Sequence, residues 1–255
     1  MSGFYTPKRT RNLFEPGKPF KISRTKLDAF LKCPRCFYLD RRLGVGQPPS
    51  FPFTLNSAVD TLLKKEFDAY RAQGKPHPIM TTMKIDAIPF THKDLDEWRN
   101  SLRGGIKYTD AGTGLTLSGG IDDVWVHSNG KLHIVDYKST SKEGEVNLDA
   151  EWQDSYKRQM EIYQWLFRKN SFPVSDIGYF LYCNGKTDRP AFNARIDFDL
   201  KLIPYKGDDS WVEGALLEAH DCLMQDGLPE SGAECEFCQY RRATAEAENE
   251  NRLSL

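Results

Sequence analysis

Asp122, Asp136 and Lys138 are the residues whose types and spacing carry the most chemistry. Asp122 follows Gly119-Gly120-Ile121, and the other two lie within Ile134-Val135-Asp136-Tyr137-Lys138-Ser139-Thr140. Two apolar runs of β type flank Ser128-Asn129-Gly130, where Asn and Gly accept the positive φ of a tight turn, so a hairpin is expected. Alternate residues of a strand share a face, which aims Asp136 and Lys138 the same way, with Asp122 on the partner strand. Two carboxylates and an ammonium at the end of an apolar hairpin suit holding a divalent cation and activating a water beside a phosphodiester. The plain alternative is a surface hairpin with a cross-strand ion pair. Against it, Asp136 follows Ile134-Val135, a run in which an unpaired carboxylate is costly. Asp123 faces away from Asp122 and is expected to be structural.

A second constellation is Cys33-x-x-Cys36 with Cys235-x-x-Cys238. Two such pairs make a four-thiolate site with both halves present, and a metal there would tie the chain's ends together and support folding. Cys183 and Cys222 sit in apolar patterns and read as core. His77, His92, His127, His133 and His220 form no spaced set and read as surface or satisfied histidines.

In order along the chain, these motifs resemble the PD-(D/E)XK nuclease superfamily, specifically its RecB-type branch, which includes the CRISPR-associated and AddB-type exonucleases. Gln159-Met160-Glu161-Ile162-Tyr163 is similar to the branch's Gln-x-x-x-Tyr motif, and the similarity runs from about Ser23 to Tyr240. The resemblance implies an α/β, restriction-endonuclease-like core, a mixed central β-sheet flanked by helices. It implies that Asp122, Asp136 and the backbone carbonyl of Tyr137 hold Mg²⁺ or Mn²⁺ while Lys138 works at the attacking water and scissile phosphate. Gln159 and Tyr163, one helical turn apart, would face that site. The family's metal-ligating histidine is replaced here by Asp60, which is either a further oxygen ligand or a helix-edge residue. The family's cysteines hold a [4Fe–4S] cluster with one ligand upstream and three downstream. Here Cys36 stands in for a missing downstream cysteine, so that Cys33, Cys36, Cys235 and Cys238 suit either that cluster or Zn²⁺.

The elements that must position these residues follow from periodicity. Ser23 is expected to cap a helix carrying Leu27, Phe30 and Leu31, with Pro34 opening the next helix and Cys33 at the junction. Leu55 to Tyr70 have helical spacing, closed by Gly74 and Pro76, and a further helix is expected around Leu95–Leu102. Strands are expected at Leu115–Leu117, Ile121–His127 and Leu132–Ser139, and a helix from about Asp154 to Lys169. Then come a strand at Ile177–Cys183, a turn at Asn184-Gly185 and an alternating strand with Phe192, Ala194, Ile196 and Phe198. Ser210-x-x-Glu213 reads as a capping box for a last helix. The organisation expected is a basic N-terminal arm (1–22), one nuclease domain (23–242) whose cysteine pairs meet, and an acidic tail (243–255).

The 255 residues can bury a substantial core. No apolar run approaches the roughly 20 residues of a membrane span, and Met1 to Arg9 lack a secretory signal's apolar segment, so a cytoplasmic protein with reduced or metal-bound cysteines is expected. The net charge of −1 hides a gradient: residues 1–46 carry eleven Lys/Arg against Glu15, Asp28 and Asp40, whereas 208–255 carry twelve acids against three arginines. Either Arg24, Lys26, Arg35, Arg41 and Arg42 track a phosphate backbone, or the two ends neutralise each other.

The leading expectation is a divalent-metal-dependent deoxyribonuclease acting on single strands or duplex ends, in DNA repair, recombination or defence. Its exonuclease mode is implied by the resemblance alone. The chain has no P-loop, so a helicase partner would be a separate chain. The alternative is a catalytically weak, nuclease-like nucleic-acid-binding or assembly subunit; an RNA-processing or sugar-phosphate hydrolase on the same site also stays open.

Overall fold

The computed structural model describes residues 8–48 and 54–252. In chain order the elements are β1 (Phe20–Ser23), α1 (Arg24–Lys32), α2 (Pro34–Arg41), α3 (Thr54–Gln73), α4 (Pro78–Thr82), β2 (Ala87–Pro89), α5 (Leu95–Arg99) and β3 (Ile106–Thr109). There follow β4 (Leu115–Gly119), β5 (Asp123–His127), β6 (Leu132–Thr140), a 3₁₀ turn (Glu151–Gln153), α6 (Asp154–Lys169), β7 (Ile177–Gly185), β8 (Phe198–Lys206), α7 (Val212–Met224) and α8 (Glu236–Arg252). Where one domain over 23–242 was expected, contacts divide the described residues into two compact units: 8–48, 109–117 and 213–252 in one, 54–108 and 118–212 in the other. No described helix is long and apolar enough to cross a membrane.

The second unit is built on a five-stranded sheet of order β2-β5-β6-β7-β8. The Ser128-Asn129-Gly130 turn joins β5 to β6 as an antiparallel hairpin, with Asp123 opposite Val135. β6 and β7 run parallel, and α6 makes the long crossover that a parallel pair requires. On one face, Leu63 and Phe67 of α3 pack on Trp125, Val135, Tyr137, Leu181 and Cys183. Strand alternation then turns Asp136 and Lys138 to the opposite face, where α6 lies. Gly119 makes that packing close: a Cβ there would overlap the Tyr163 ring of α6. The sheet is therefore mixed, with helices around it, as a restriction-endonuclease-like fold requires.

Three features of this unit depart from the sequence reading. Asn184 and Gly185 do not turn; they finish β7, paired with Asp199 and Phe198. The return strand β8 starts only at Phe198, and residues 186–197 form a loop with Asn193 and Ala194 at φ 45° and 53°. The apolar alternation of Phe192, Ala194 and Ile196 imitates a strand, but left-handed backbone cannot continue one. The helix expected over Leu95–Leu102 is a single turn, α5, and the α3 stripe is narrower than its spacing suggested, with Leu55 and Leu62 exposed.

The first unit joins β1, α1 and α2 to α7 and α8. β1 begins inside the expected arm, and α8 takes in the expected acidic tail as far as Arg252. Pro34 opens α2 and Cys33 caps it, its Sγ accepting the Cys36 N–H. Arg42 donates to the carbonyl of Leu223 at 2.9 Å and Tyr38 to that of Gln225 at 2.9 Å, so α2 holds the end of α7.

Candidate active site and a four-cysteine centre

Asp122 sits just before β5, where the β5–β6 register brings it beside Asp136. Its Oδ2 accepts the Tyr137 N–H at 2.8 Å, and its backbone carbonyl accepts Arg99 Nε at 3.0 Å. Arg99 also reaches the Asp123 carboxylate at 3.0 Å, joined there by Arg71 and by the Tyr137 hydroxyl at 2.9 Å. Asp123 is fully buried. It is held as a structural carboxylate would be, and Arg99, which it binds, also clamps the backbone of Asp122. Burial and the Asp123 charge push the Tyr137 hydroxyl well above its ordinary range, so it remains a donor.

Asp136 is wholly buried. Its Oδ1 accepts Gln159 Nε2 at 2.6 Å and its Oδ2 meets Lys138 Nζ. Lys138 in turn lies 3.3 Å from Gln159 Oε1 and 4.2 Å from the Tyr156 ring centroid. Burial alone would lower the Lys138 pKa, but the charges of Asp136 and then Asp122 raise it, keeping the ammonium charged. Tyr163 contacts this group through Gln159, whose Nε2 also stands 3.1 Å from the tyrosine hydroxyl. Thus the i, i+4 pair on α6 does face the hairpin residues, with Gln159 in direct contact and Tyr163 behind it.

Asp60 approaches from α3. Lys64, one turn on, bridges it at 2.9 Å to Asp122 at 3.5 Å. Burial, opposed by the Lys64 hydrogen bond, raises the Asp60 pKa, and the Asp122 charge raises it further. The Lys64 ammonium is raised despite burial, chiefly by the charge of Asp122. Asp122 thus connects two ion pairs, touching Lys64 of the Asp60 pair and acting by its charge on Lys138 of the Asp136 pair. The carboxylates are hard oxygen donors in anionic excess, which fits a small divalent cation between Asp122 and Asp136. Lys64, Arg71, Arg99 and Tyr156 were not singled out from sequence. Lys64 alone had a local signal, as the i+4 neighbour of Asp60.

The five candidate phosphate-binding residues lie in the other unit, and most are engaged there. Lys26 and Arg41 pair with the buried Asp40 at 2.8 Å each. Arg35 donates to the Pro229 carbonyl at 2.8 Å and meets Glu230 at 3.7 Å; Arg42 meets Asp226 at 3.9 Å. Arg24 is half-buried at the start of α1. Of these, Arg35 and Arg42 meet acids of the 208–255 stretch, whereas Lys26 and Arg41 pair with Asp40 of the basic stretch itself.

In that same unit the four cysteines converge. Cys33 Sγ is 3.8 Å from Cys238 Sγ, and Cys36 Sγ is 3.6 Å from both Cys235 and Cys238. All four sulfurs lie within 4.8 Å of one another, a group able to hold a metal ion. Gly232 permits this: its N–H donates to Cys33 Sγ at 3.3 Å, and a Cβ there would strike the Lys32 carbonyl. Burial raises the Cys33 thiol, but the N–H groups of Cys36 and Gly232 outweigh it and bring the pKa to about 7. Burial pushes Cys36 and Cys238 up. Cys183 and Cys222 are buried elsewhere, their thiols raised to about 11 by burial.

Among solved structures, the chain is similar to that described as "Crystal structure of SSO0001", at 18% identity over 88% of this chain and 85% of that one, with a TM-score of 0.35. A superposition that loose bears on neither fold nor function. No curated protein matches the sequence. The sequence does match the family profile of the PD-(D/E)XK nuclease superfamily over residues 21–243. That match takes in both the hairpin carrying Asp122, Asp136 and Lys138 and all four clustered cysteines, and on it the chain belongs to the PD-(D/E)XK nuclease superfamily.

Proposed function

We propose that this chain is a divalent-metal-dependent deoxyribonuclease that hydrolyses phosphodiester bonds at single-stranded or duplex ends. The observation that carries the reading is the Gln159 amide, which binds Asp136 through its nitrogen and Lys138 through its oxygen. A buried lysine held between a carboxylate and an amide, at the open end of a hairpin with a second carboxylate beside it, is arranged for charge at a phosphate. What a divalent cation supplies when bound by Asp122 and Asp136 is neutralisation of the phosphate and acidification of water. The Tyr137 carbonyl and Asp60 would complete its oxygen set. Lys138 stays protonated and is fixed in direction, so it can orient the nucleophile or stabilise charge developing on phosphorus, worth about 3 kcal/mol by analogy with an oxyanion donor. Arg99 and the Tyr137 N–H keep Asp122 from drifting, which preserves the alignment displacement needs.

The test is incubation of the purified protein with end-labelled single- and double-stranded DNA, with and without Mg²⁺ or Mn²⁺. Metal-dependent release of short products, lost in Lys138→Ala, is expected. DNA binding without cleavage under any metal would replace this reading with a nuclease-like binding subunit.

For the four cysteines we propose a single tetrahedral ion of zinc type in place of a four-iron cluster. Zinc–sulfur bonds of about 2.3 Å set tetrahedral sulfur–sulfur edges of about 3.8 Å. Three of the six separations, at 3.6 to 3.8 Å, match that edge, and all six stay within 4.8 Å. A [4Fe–4S] cluster attaches each thiolate to a different iron and spreads the sulfurs wider. Elemental analysis of anaerobically purified protein should return one zinc per chain without acid-labile sulfide; stoichiometric iron and sulfide would reinstate the cluster.

A further inference from the structure

We propose that Trp152 and Tyr156 form a base-stacking platform for single-stranded DNA beside Lys138, an inference that rests on the nuclease reading above. A cleft of about 160 Å³ is lined by Lys138, Thr140, Lys142, Trp152, Tyr156 and Tyr182. Trp98, Trp125 and Trp165 are buried, and Trp211 is half-buried with its indole N–H on Glu161 at 2.7 Å; Trp152 is 65% exposed. The Trp152 ring meets the Tyr156 ring edge-on at 5.4 Å, and Lys138 Nζ lies 4.2 Å from the Tyr156 centroid. The indole is therefore no more than about 10 Å from the ammonium, a span of one to two nucleotides.

The turn that presents Trp152 is pinned from inside. Gln153 is buried, its amide donating to the Asn147 carbonyl at 2.7 Å and meeting the Tyr182 hydroxyl at 3.3 Å, while its oxygen accepts the Ala150 N–H at 3.0 Å. A large aromatic face is thus held towards solvent on a short turn, so little ordering is left for a ligand to impose. Lys142, exposed on the same cleft, adds charge complementary to a phosphate backbone. Stacking accepts any base, because every base has a π-face, and is worth enough per base to change affinity about tenfold. In a duplex both faces of each base are already stacked on neighbours. The platform therefore selects single strands and frayed ends.

The test uses full-length protein with Ca²⁺ in place of Mg²⁺ to hold back cleavage, titrated with oligothymidylate and with a blunt hairpin duplex. Oligothymidylate should quench the tryptophan emission of the wild type and leave that of Trp152→Ala unchanged. Affinity of Trp152→Ala for the single strand should fall about tenfold, recover largely in Trp152→Phe, and stay within twofold for the duplex. Removing one base from the oligonucleotide should weaken the wild type but not Trp152→Ala. Melting temperatures serve as the folding control, since the side chain is exposed. Unchanged quenching and affinity in Trp152→Ala, or equal losses for both DNA forms, would overturn the platform while leaving cleavage intact. A wild type that neither binds nor cleaves DNA removes the nuclease reading and the platform with it.

Discussion

The Gln159 amide nitrogen stands 2.6 Å from the Asp136 carboxylate, and the same amide's oxygen accepts from Lys138. One side chain on α6 thereby fixes both a carboxylate and an ammonium on β6, two elements that meet only through the fold. Hydrolysis is sensitive to misplacement on that scale, a shift of about 1 Å being able to cost about a hundredfold. Gln159→Ala should lower kcat by about that factor with KM for DNA within threefold. Gln159→Glu should be worse, because it sets a like charge against Asp136. A change in KM alone, with kcat intact, would make Gln159 a substrate contact and not a positioning residue.

Asp136 and Lys138 should depend on each other for stability as well as chemistry. Repulsion between Asp122 and Asp136 argues that losing one carboxylate would stabilise the metal-free protein. The pairing reverses that sign, because Asp136→Ala leaves a largely buried ammonium without its partner. Each single change, Asp136→Ala or Lys138→Ala, should cost about 3 kcal/mol, and the double variant should cost less than their sum by about 2 kcal/mol. Thermal melts in EDTA measure this. Additive losses would mean that the pair is not coupled.

How much of this site could be read from sequence depended on whether the interaction was local. Strand alternation set Asp136 and Lys138 on one face, and the i, i+4 rule aligned Gln159 with Tyr163; both periodicities survive any tertiary context. Arg99 was invisible, since its value lies in reaching Asp122 and Asp123 from a one-turn helix more than twenty residues away. Residues 186–197 misled because apolar alternation reports side-chain chemistry, whereas the left-handed backbone at Asn193 and Ala194 ends the strand. The cysteine spacing assembled the right four thiols. What separates one ion from a cluster is the distance between sulfurs, which spacing along the chain does not contain.

Asp40 should control acid stability. Burial by itself would raise its pKa, but hydrogen bonds and charge from Arg41, Lys26 and Arg9 hold the carboxyl well below the usual carboxylate range. A depressed folded pKa means that this stabilisation is fully present above the unfolded value of about 4 and is lost as pH falls through the folded one. Asp40→Asn should lower stability by about 2 kcal/mol at pH 7, leaving the cations around it uncompensated. The gap between wild type and variant should shrink as pH drops from about 5 to 2. A gap that is constant with pH would mean the loss is one of packing and not of charge.

The four-cysteine centre should behave as a fold-supporting metal site. Cys33 and Cys238 are 205 residues apart in sequence, so an unfolded chain does not hold the four sulfurs together, and metal binding adds directly to folding. Cys33→Ser, Cys36→Ser, Cys235→Ser and Cys238→Ser should each cost at least about 3 kcal/mol and release the ion, as expected for loss of a structural metal. Cys183→Ser and Cys222→Ser should cost less, about 1 to 2 kcal/mol, because each only buries a hydroxyl in place of a thiol. Alkylation supplies a second readout: the four clustered thiols should resist modification in the native protein and react together once a strong chelator is added. Free reaction of all four without a chelator, in protein that melts normally, would show that they hold no metal, and the 3.6 to 3.8 Å sulfur separations would then be those of packed thiols.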